Sequence, residues 1–317
     1  MVRTAHPTRL ATRLAMLMLM LSVGTDVAAA PALPRAGIET RLLLLDADTL
    51  SQRQVAVGER GFILIRDDDA QHWRRAQTSG DSTLTALTAC GSTAWAVGHD
   101  ATILKSTNQA ATWRRVHYAP ELQRPLLDVL FMDDAHGFAV GAYGYFLETR
   151  DGGEHWVSRS IAVDDRHHNA IALLANGHLL IAGEAGSLLR STDAGKTWQA
   201  LASPYAGSWF GILPVGQAGA LVFGLRGKVF RTEDAGASWL AINSHTEATL
   251  MGGRVLGDGT VVLAGQDGVM LTSTDQAHSF SLQQQPGNAA FATVLAGKHA
   301  WWLVGERGIT RASRPQQ

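Results

Sequence analysis

The chain is poor in the residues that staple or charge a protein. One cysteine, Cys90, stands in 317 residues, which excludes an intramolecular disulfide framework and a cysteine-rich metal site. Lysine is nearly absent, four residues against 23 arginines, and charged residues make up only 17%. With a formal net charge of −1 the chain has no global basic field to attract nucleic acid. No apolar run reaches the roughly 20 residues that span a bilayer. Tyrosine is also scarce: four residues against nine tryptophans. What is present in quantity is apolar side chain, 46%, and glycine, 33 residues. That balance excludes a disordered or collagen-like chain.

Residues 1–29 read as a cleaved secretory signal. Arg3, Arg9 and Arg13 precede an apolar run of ten at 14–23, and small residues follow at 27–30. This three-part pattern marks export, with cleavage expected after Ala29 because cleavage one residue later leaves Pro31 at the new terminus. The remaining chain, 30–317, carries 24 basic and 27 acidic residues and is expected to make no stable membrane insertion after cleavage. Its single thiol suits an oxidising compartment, where it has no partner in its own chain.

From there on the sequence is one repeat. A glycine closes an apolar stretch at Gly58, Gly98, Gly141, Gly183, Gly224, Gly265 and Gly305, in steps of 40 to 43 residues. A second glycine follows three places on in every unit but the second, where Ala101 stands. Fifteen residues after the anchor comes an aromatic: Trp73, Trp113, Trp156, Trp198, Trp239 and Phe280. The third unit breaks into four short strands, near 126–132, 137–140, 145–149 and 156–159, with turn residues between them. The first three are continuous apolar runs, as expected of strands covered on both faces. Units of some forty residues with four strands are propeller blades. The expected fold is therefore all-β: a seven-bladed β-propeller of four-stranded antiparallel blades in a single domain, 30–317. The seventh unit shows only three strands, so an N-terminal strand near 32–40 is expected to close the ring and cover its edge.

The turn between third and fourth strands carries Ser/Thr-x-Asp-x-Gly-x-x-Trp, the Asp-box. It is complete at 149–156, 191–198 and 232–239, which places Asp151 with Trp156, Asp193 with Trp198, and Asp234 with Trp239. Three other copies are eroded, by Arg66 and Ala70, by Asn108 and Ala110, and by Ala277 and Phe280. Aspartate accepts N–H bonds within its own turn, so these residues read as structural, not catalytic.

The stretch 129–156, VLFMDDAHGFAVGAYGYFLETRDGGEHW, resembles the repeat of the photosystem II stability/assembly factor family, and the resemblance covers about 38–312. It implies a seven-bladed propeller, exported (to the thylakoid lumen in that family, here to the periplasm or beyond), that assists assembly of a photosynthetic membrane complex without catalysis. It also implies an arginine-bearing surface patch that contacts a membrane-protein client.

On this reading the Gly-x-x-Gly turns form the partner-binding face, opposite the Asp-boxes. They present Arg60, Tyr143, Arg226, Asp267 and Arg307, which become the candidate contacts for a membrane-protein subunit. Arginine suits the task because its planar fork grips carboxylates and stacks on aromatics. Read blandly, the same residues are solvated turn charges. A polar link between blades, Asp164, Asp165, His167 and His168, offers metal-ligand types. Adjacent histidines on extended chain point apart, so a solvated loop is expected there, with no metal and no cofactor. No nucleic-acid partner and a monomeric state are expected. Two other classes compete. A sialidase-like or other Asp-box glycoside hydrolase would need a tyrosine nucleophile, and only Tyr118, Tyr143, Tyr145 and Tyr205 exist. An envelope accessory protein for an exporter is the third class.

Overall fold

The computed structural model describes residues 42–313, except 69, 71, 163, 298 and 299. The signal segment 1–29 and the closing strand expected near 32–40 lie outside the described residues. Within them the chain forms seven antiparallel sheets, six of four strands and one of three. Blade three runs Leu126–Phe131, Gly137–Gly141, Phe146–Thr149 and Val157–Ser158. Each expected strand is found within one or two residues. The second and third strands of that blade are buried throughout, which explains why they show no period-two alternation. The first strand of every blade lies beside the first strand of the next, and the first strand of blade seven, Phe291–Ala296, lies beside that of blade one, Leu44–Leu50. The seven first strands therefore wall a central channel.

Side chains between blades hold the ring. Trp113 packs in one cluster with Val55 and Ile65 of the preceding blade, and Trp198 packs with Phe138 and Phe146. Trp73 does the same across the closure, against Leu295, Val304 and Ile309 of blade seven. Three polar contacts reinforce that closure. Gln54 donates to the Ala296 carbonyl at 3.1 Å, and Arg66 stacks 4.7 Å above Trp302. Arg254 of blade six reaches past blade seven to Asp48 of blade one, 2.7 Å away, and to the Ala47 carbonyl. Blade seven, Phe291–Ala296, Trp301–Gly305 and Gly308–Ala312, is three-stranded among the described residues.

The two glycines of the repeated turn serve different needs. The second, Gly61 at φ +65° for example, takes a left-handed conformation. The anchor does not: its backbone is extended, but a Cβ on Gly58 would stand 2.1 Å from the Leu43 carbonyl oxygen. The anchor is glycine because the entering chain passes too close for anything larger. Sequence spacing equates all seven turns, and the structure separates the last. Arg60, Asp100, Tyr143, Ala185, Arg226 and Asp267 are left-handed at φ 49° to 58°. In blade seven Gly305 pairs directly with Gly308 in a tighter hairpin, so Arg307 is presented from a different backbone.

The Asp-box turns persist where their letters erode. Asp193 accepts from Ser191 Oγ at 2.8 Å and from the Thr197 N–H at 2.9 Å. The eroded copy repeats this: Asp275 accepts from Ser273 Oγ at 2.6 Å and the Ser279 N–H at 3.1 Å. Asn108 does likewise with Ser106 and Thr112, both at 3.0 Å. Ala110 and Ala277 occupy the box-glycine position at φ +62° and +64°. What decides between glycine and alanine is the neighbouring blade. A Cβ on Gly195 would fall 2.5 Å from Phe138, and one on Gly153 2.5 Å from Trp95. Ala110 instead shares a cluster with Val55, and Ala277 with Leu221, the smaller counterparts at the same strand position.

Two outcomes follow from this packing. Arg254→Met removes the tie across blade seven and leaves Asp48 facing Asp46; thermal unfolding is expected to show a loss of about 2 kcal/mol, less than a fully buried pair because both partners keep some solvent. The double variant Arg254→Met/Asp48→Leu recovers part of it. Gly195→Ala is expected to destabilise by about 1–3 kcal/mol through overpacking, and Phe138→Leu in the same chain to lessen that loss.

Candidate functional site

The two ends of the ring are built from different connections. On one, the Gly-x-x-Gly turns bond to the links between blades: Gly144 N–H to the Arg166 carbonyl at 3.0 Å, and Ala119 N–H to the Asp100 carbonyl at 3.0 Å. On the other, Asp-box turns bond to the first hairpins, as Gly152 N–H does to the Ala135 carbonyl at 2.8 Å. The side-chain oxygens of the Asp-box carboxylates are occupied by their own turns. That hydrogen bonding pulls Asp193 and Asp234 down to about 2, so they stay ionised and committed.

Arg60, Arg226, Asp267 and Arg307 are exposed on the turn face but come from blades one, five, six and seven. Arg307 Nη1 lies beside Gly287 of the blade six–seven link. Tyr143 is half exposed at φ +55° and meets the His167 ring edge-to-face, centroids 4.9 Å apart. Thus Tyr143 joins the polar link Asp164–Asp165–His167 and stands apart from the three arginines. The link does not behave as one loop. Arg166 pairs with Asp164 at 3.2 Å. The His167 N–H donates to Glu184 at 3.2 Å.

His168 leaves the loop altogether. It opens the strand His168–Leu173, opposite Gly183, and is fully buried. The same register position holds Leu44, Leu84, Leu126, Trp209, Leu250 and Phe291 in the other blades. Burial pushes His168 down to about 4, so it is a neutral member of an apolar ring rather than part of a solvated loop. Among the described residues no three His, Cys, Asp or Glu side chains gather as metal ligands would.

Two features escaped the sequence reading. The first is a groove on the turn face. A cavity of about 580 Å³ between the Ala185 turn and the links on either side of blade four adjoins one of about 490 Å³ under Tyr143. Ala162 and Asp164 line both. The second is a pair of carboxylates on the channel wall. Asp46 Oδ2 accepts the Leu87 N–H of the next blade at 2.8 Å, and Asp128 Oδ2 accepts the Ile171 N–H at 2.8 Å. Burial pushes Asp46 up to about 6 against the pull of Arg254, and Asp128 up to about 7, with the Asp46 charge adding to it. A repeated Leu-Leu-Asp, at 44–46 and 126–128, was the available signal.

Seven four- or three-stranded blades around a channel, with Asp-box turns on one end and glycine turns on the other, define a seven-bladed β-propeller of the Asp-box class. Within that class, residues 117–260 match the family described as Photosynthesis system II assembly factor YCF48. The photosystem II assembly lipoprotein Ycf48 of Synechococcus sp. (strain CC9902) is 38% identical over 97 residues, 30% of this chain and 28% of that protein. The stability/assembly factor HCF136 of Oryza sativa subsp. japonica is 34% identical over 94 residues, 27% of this chain and 22% of its own. The alignments thus span under a third of these relatives. Among solved structures, YCF48 bound to D1 peptide superposes with a TM-score of 0.69 at 14% identity, covering 87% of this chain and 93% of that one. The WD40 propeller of Doa1 gives 0.70 at 11% identity, covering 87% and 94%, so the superpositions speak for the fold. The resemblance carried by residues 129–156 is thereby found again by family model and by relatives.

The channel carboxylates set a pH response. Their folded values lie above the ~3.9 of an unfolded aspartate, so folding retains protons that the unfolded chain has released. This contribution is present near pH 4 and is lost as pH rises through 6 to 7. Asp128→Asn keeps an acceptor for the Ile171 N–H and removes the titration. Denaturant unfolding is expected to show a fall in stability between pH 5 and pH 8 smaller by about 2 kcal/mol than in the parent.

Proposed function

We propose that this chain is an exported, non-enzymatic propeller that assists assembly or stability of a membrane protein complex, photosynthetic where the host has photosystems. The observation that carries this reading is the match of 117–260 to the photosystem II assembly factor family. Its relatives are named for assembly and stability, in lipoprotein and chloroplastic forms, and none of these names points to catalysis. Export rests on the signal pattern of residues 1–29. No helix among the described residues is long and apolar enough to cross a membrane. The client is a membrane-protein subunit, approached through a soluble segment, by analogy with the solved structure of YCF48 bound to D1 peptide.

The turn face is the proposed contact surface, with Arg60, Arg226 and Arg307 gripping carboxylates and Tyr143 and Asp267 completing the rim. The Asp-box end suits this less, because its carboxylates are spent on their own turns. The glycosidase and exporter readings gain no support from the relatives.

The chain immobilised in envelope extract is expected to retain a membrane protein identifiable by mass spectrometry. The Arg60→Ala/Arg226→Ala/Arg307→Ala variant is expected to retain at least tenfold less. Turnover of a sialoside or glucoside panel, or equal capture by the variant, would overturn the proposal.

A further inference from the structure

We infer that the groove across blades three and four takes an extended peptide, with an apolar side chain against Trp198 and Tyr205 and one acidic side chain against Arg124. This deepens the reading above and rests on it only for the class of partner.

The groove is amphipathic along its length. The larger cavity is walled by Ile161, Leu188, Leu189, Trp198, Leu201 and Tyr205. The smaller carries Arg124, Tyr143, Tyr145 and Arg159. Two open cavities side by side, sharing Ala162 and Asp164 in their walls, suit an extended chain better than a compact molecule. Three of the four tyrosines in the sequence line them, together with a tryptophan and several arginines. Those are the residue types that carry most binding energy at interfaces. Tyr143 is half exposed at the rim of the smaller cavity.

Charge then selects the guest. Arg159 is saturated: it holds the buried Glu148, which also takes His136 and Arg150, and donates to the Gly195 and Lys196 carbonyls. Arg166 is paired with Asp164. Arg124 is exposed, stacks only loosely on Tyr145 at 5.9 Å, and forms no ion pair among the described residues. Among the described cations that line the groove, Arg124 is therefore the one with no carboxylate partner, and its N–H fork is open to one. Asp165, exposed beside the Gly144 turn and lining the same smaller cavity, repels a second acid. The favoured ligand thus carries a single acid at one end and a bulky apolar residue at the other.

A random twelve-residue phage library panned on the full chain tests this. Enriched peptides are expected to share one acid and one bulky apolar residue. By fluorescence anisotropy they bind the parent, bind Arg124→Ala about tenfold or more weakly, and bind Arg60→Ala/Arg226→Ala/Arg307→Ala as the parent does. Tyr205→Ser, checked by thermal melting against the parent, weakens them too; if it melts early, Tyr143→Ala takes its place. Enrichment of basic peptides, of none, or of peptides indifferent to Arg124 overturns the inference. Peptide binding that survives while envelope capture fails removes the assembly reading alone. Capture without an Arg124-dependent peptide removes the groove alone.

Discussion

A sheet that is apolar on both faces can bury neither face by itself. In blades one to six the second and third strands are buried almost throughout, so each blade needs a neighbour on both sides. A ring satisfies that demand without two raw ends, and the rest of the architecture answers to it. The anchor glycines are small because the entering first strand crosses them in contact. The box residue is glycine against Trp95 and Phe138 and alanine in the clusters of Val55 and Leu221. The repeated tryptophan is large because it fills the wedge toward the preceding blade. The box residue and the tryptophan look like a motif of one repeat, but each is fixed by the repeat next to it.

The same dependence explains what could be read from the sequence. Strand number, blade number and turn positions were legible because seven copies of one spacing leave little room for another period. The aspartate turns were legible too, although erosion of their letters overstated the loss: Asn108 and Asp275 hold the full turn. What alignment by repeat concealed is what differs between repeats. His168 looked like the fifth residue of a polar run, yet it stands where six other blades place an apolar side chain. Arg307 looked equivalent to Arg60 and Arg226, yet it sits on a tighter hairpin. Arg254 carries no motif at all. Its partner is about two hundred residues away in the chain, and only the closure of the ring brings them together.

The channel wall shows how one fold reconciles opposed demands. Asp46 and Asp128 each cap a backbone N–H of the next blade, which favours the carboxylate. Burial on a narrow ring disfavours its charge, and burial is the larger effect. Arg254 eases this for Asp46 and not for Asp128, consistent with the higher value of the latter. The Asp-box carboxylates act in the opposite direction. They are solvated and satisfied, so their contribution fades only as pH falls below about 4. Acid therefore weakens the turns while it relieves the channel.

Function is expected where neighbour packing does not dictate the residue, and that is in the links. Between Ser158 and His168 the chain spends nine residues, 159–167, on its way from blade three to blade four. Between Gln284 and Phe291 it spends six, 285–290. The steps between anchor glycines tell the same story, longest at 43 and 42 residues into and out of Gly141. The surplus chain holds Arg124, just after the short turn Pro120–Leu122, in the link before blade three and Asp164–Arg166 in the link after it. A repeat protein whose blades are otherwise held to one length has thus kept its longest links around one sector. That sector gathers Tyr143, Tyr145 and Tyr205, so the scarcity of tyrosine is a matter of placement as much as number. Tyr145 and Tyr205 serve the packing as well, but exposed Tyr143 and Arg124 do not, and they stand on the end of the ring where the carboxylates of the turns are not already spent.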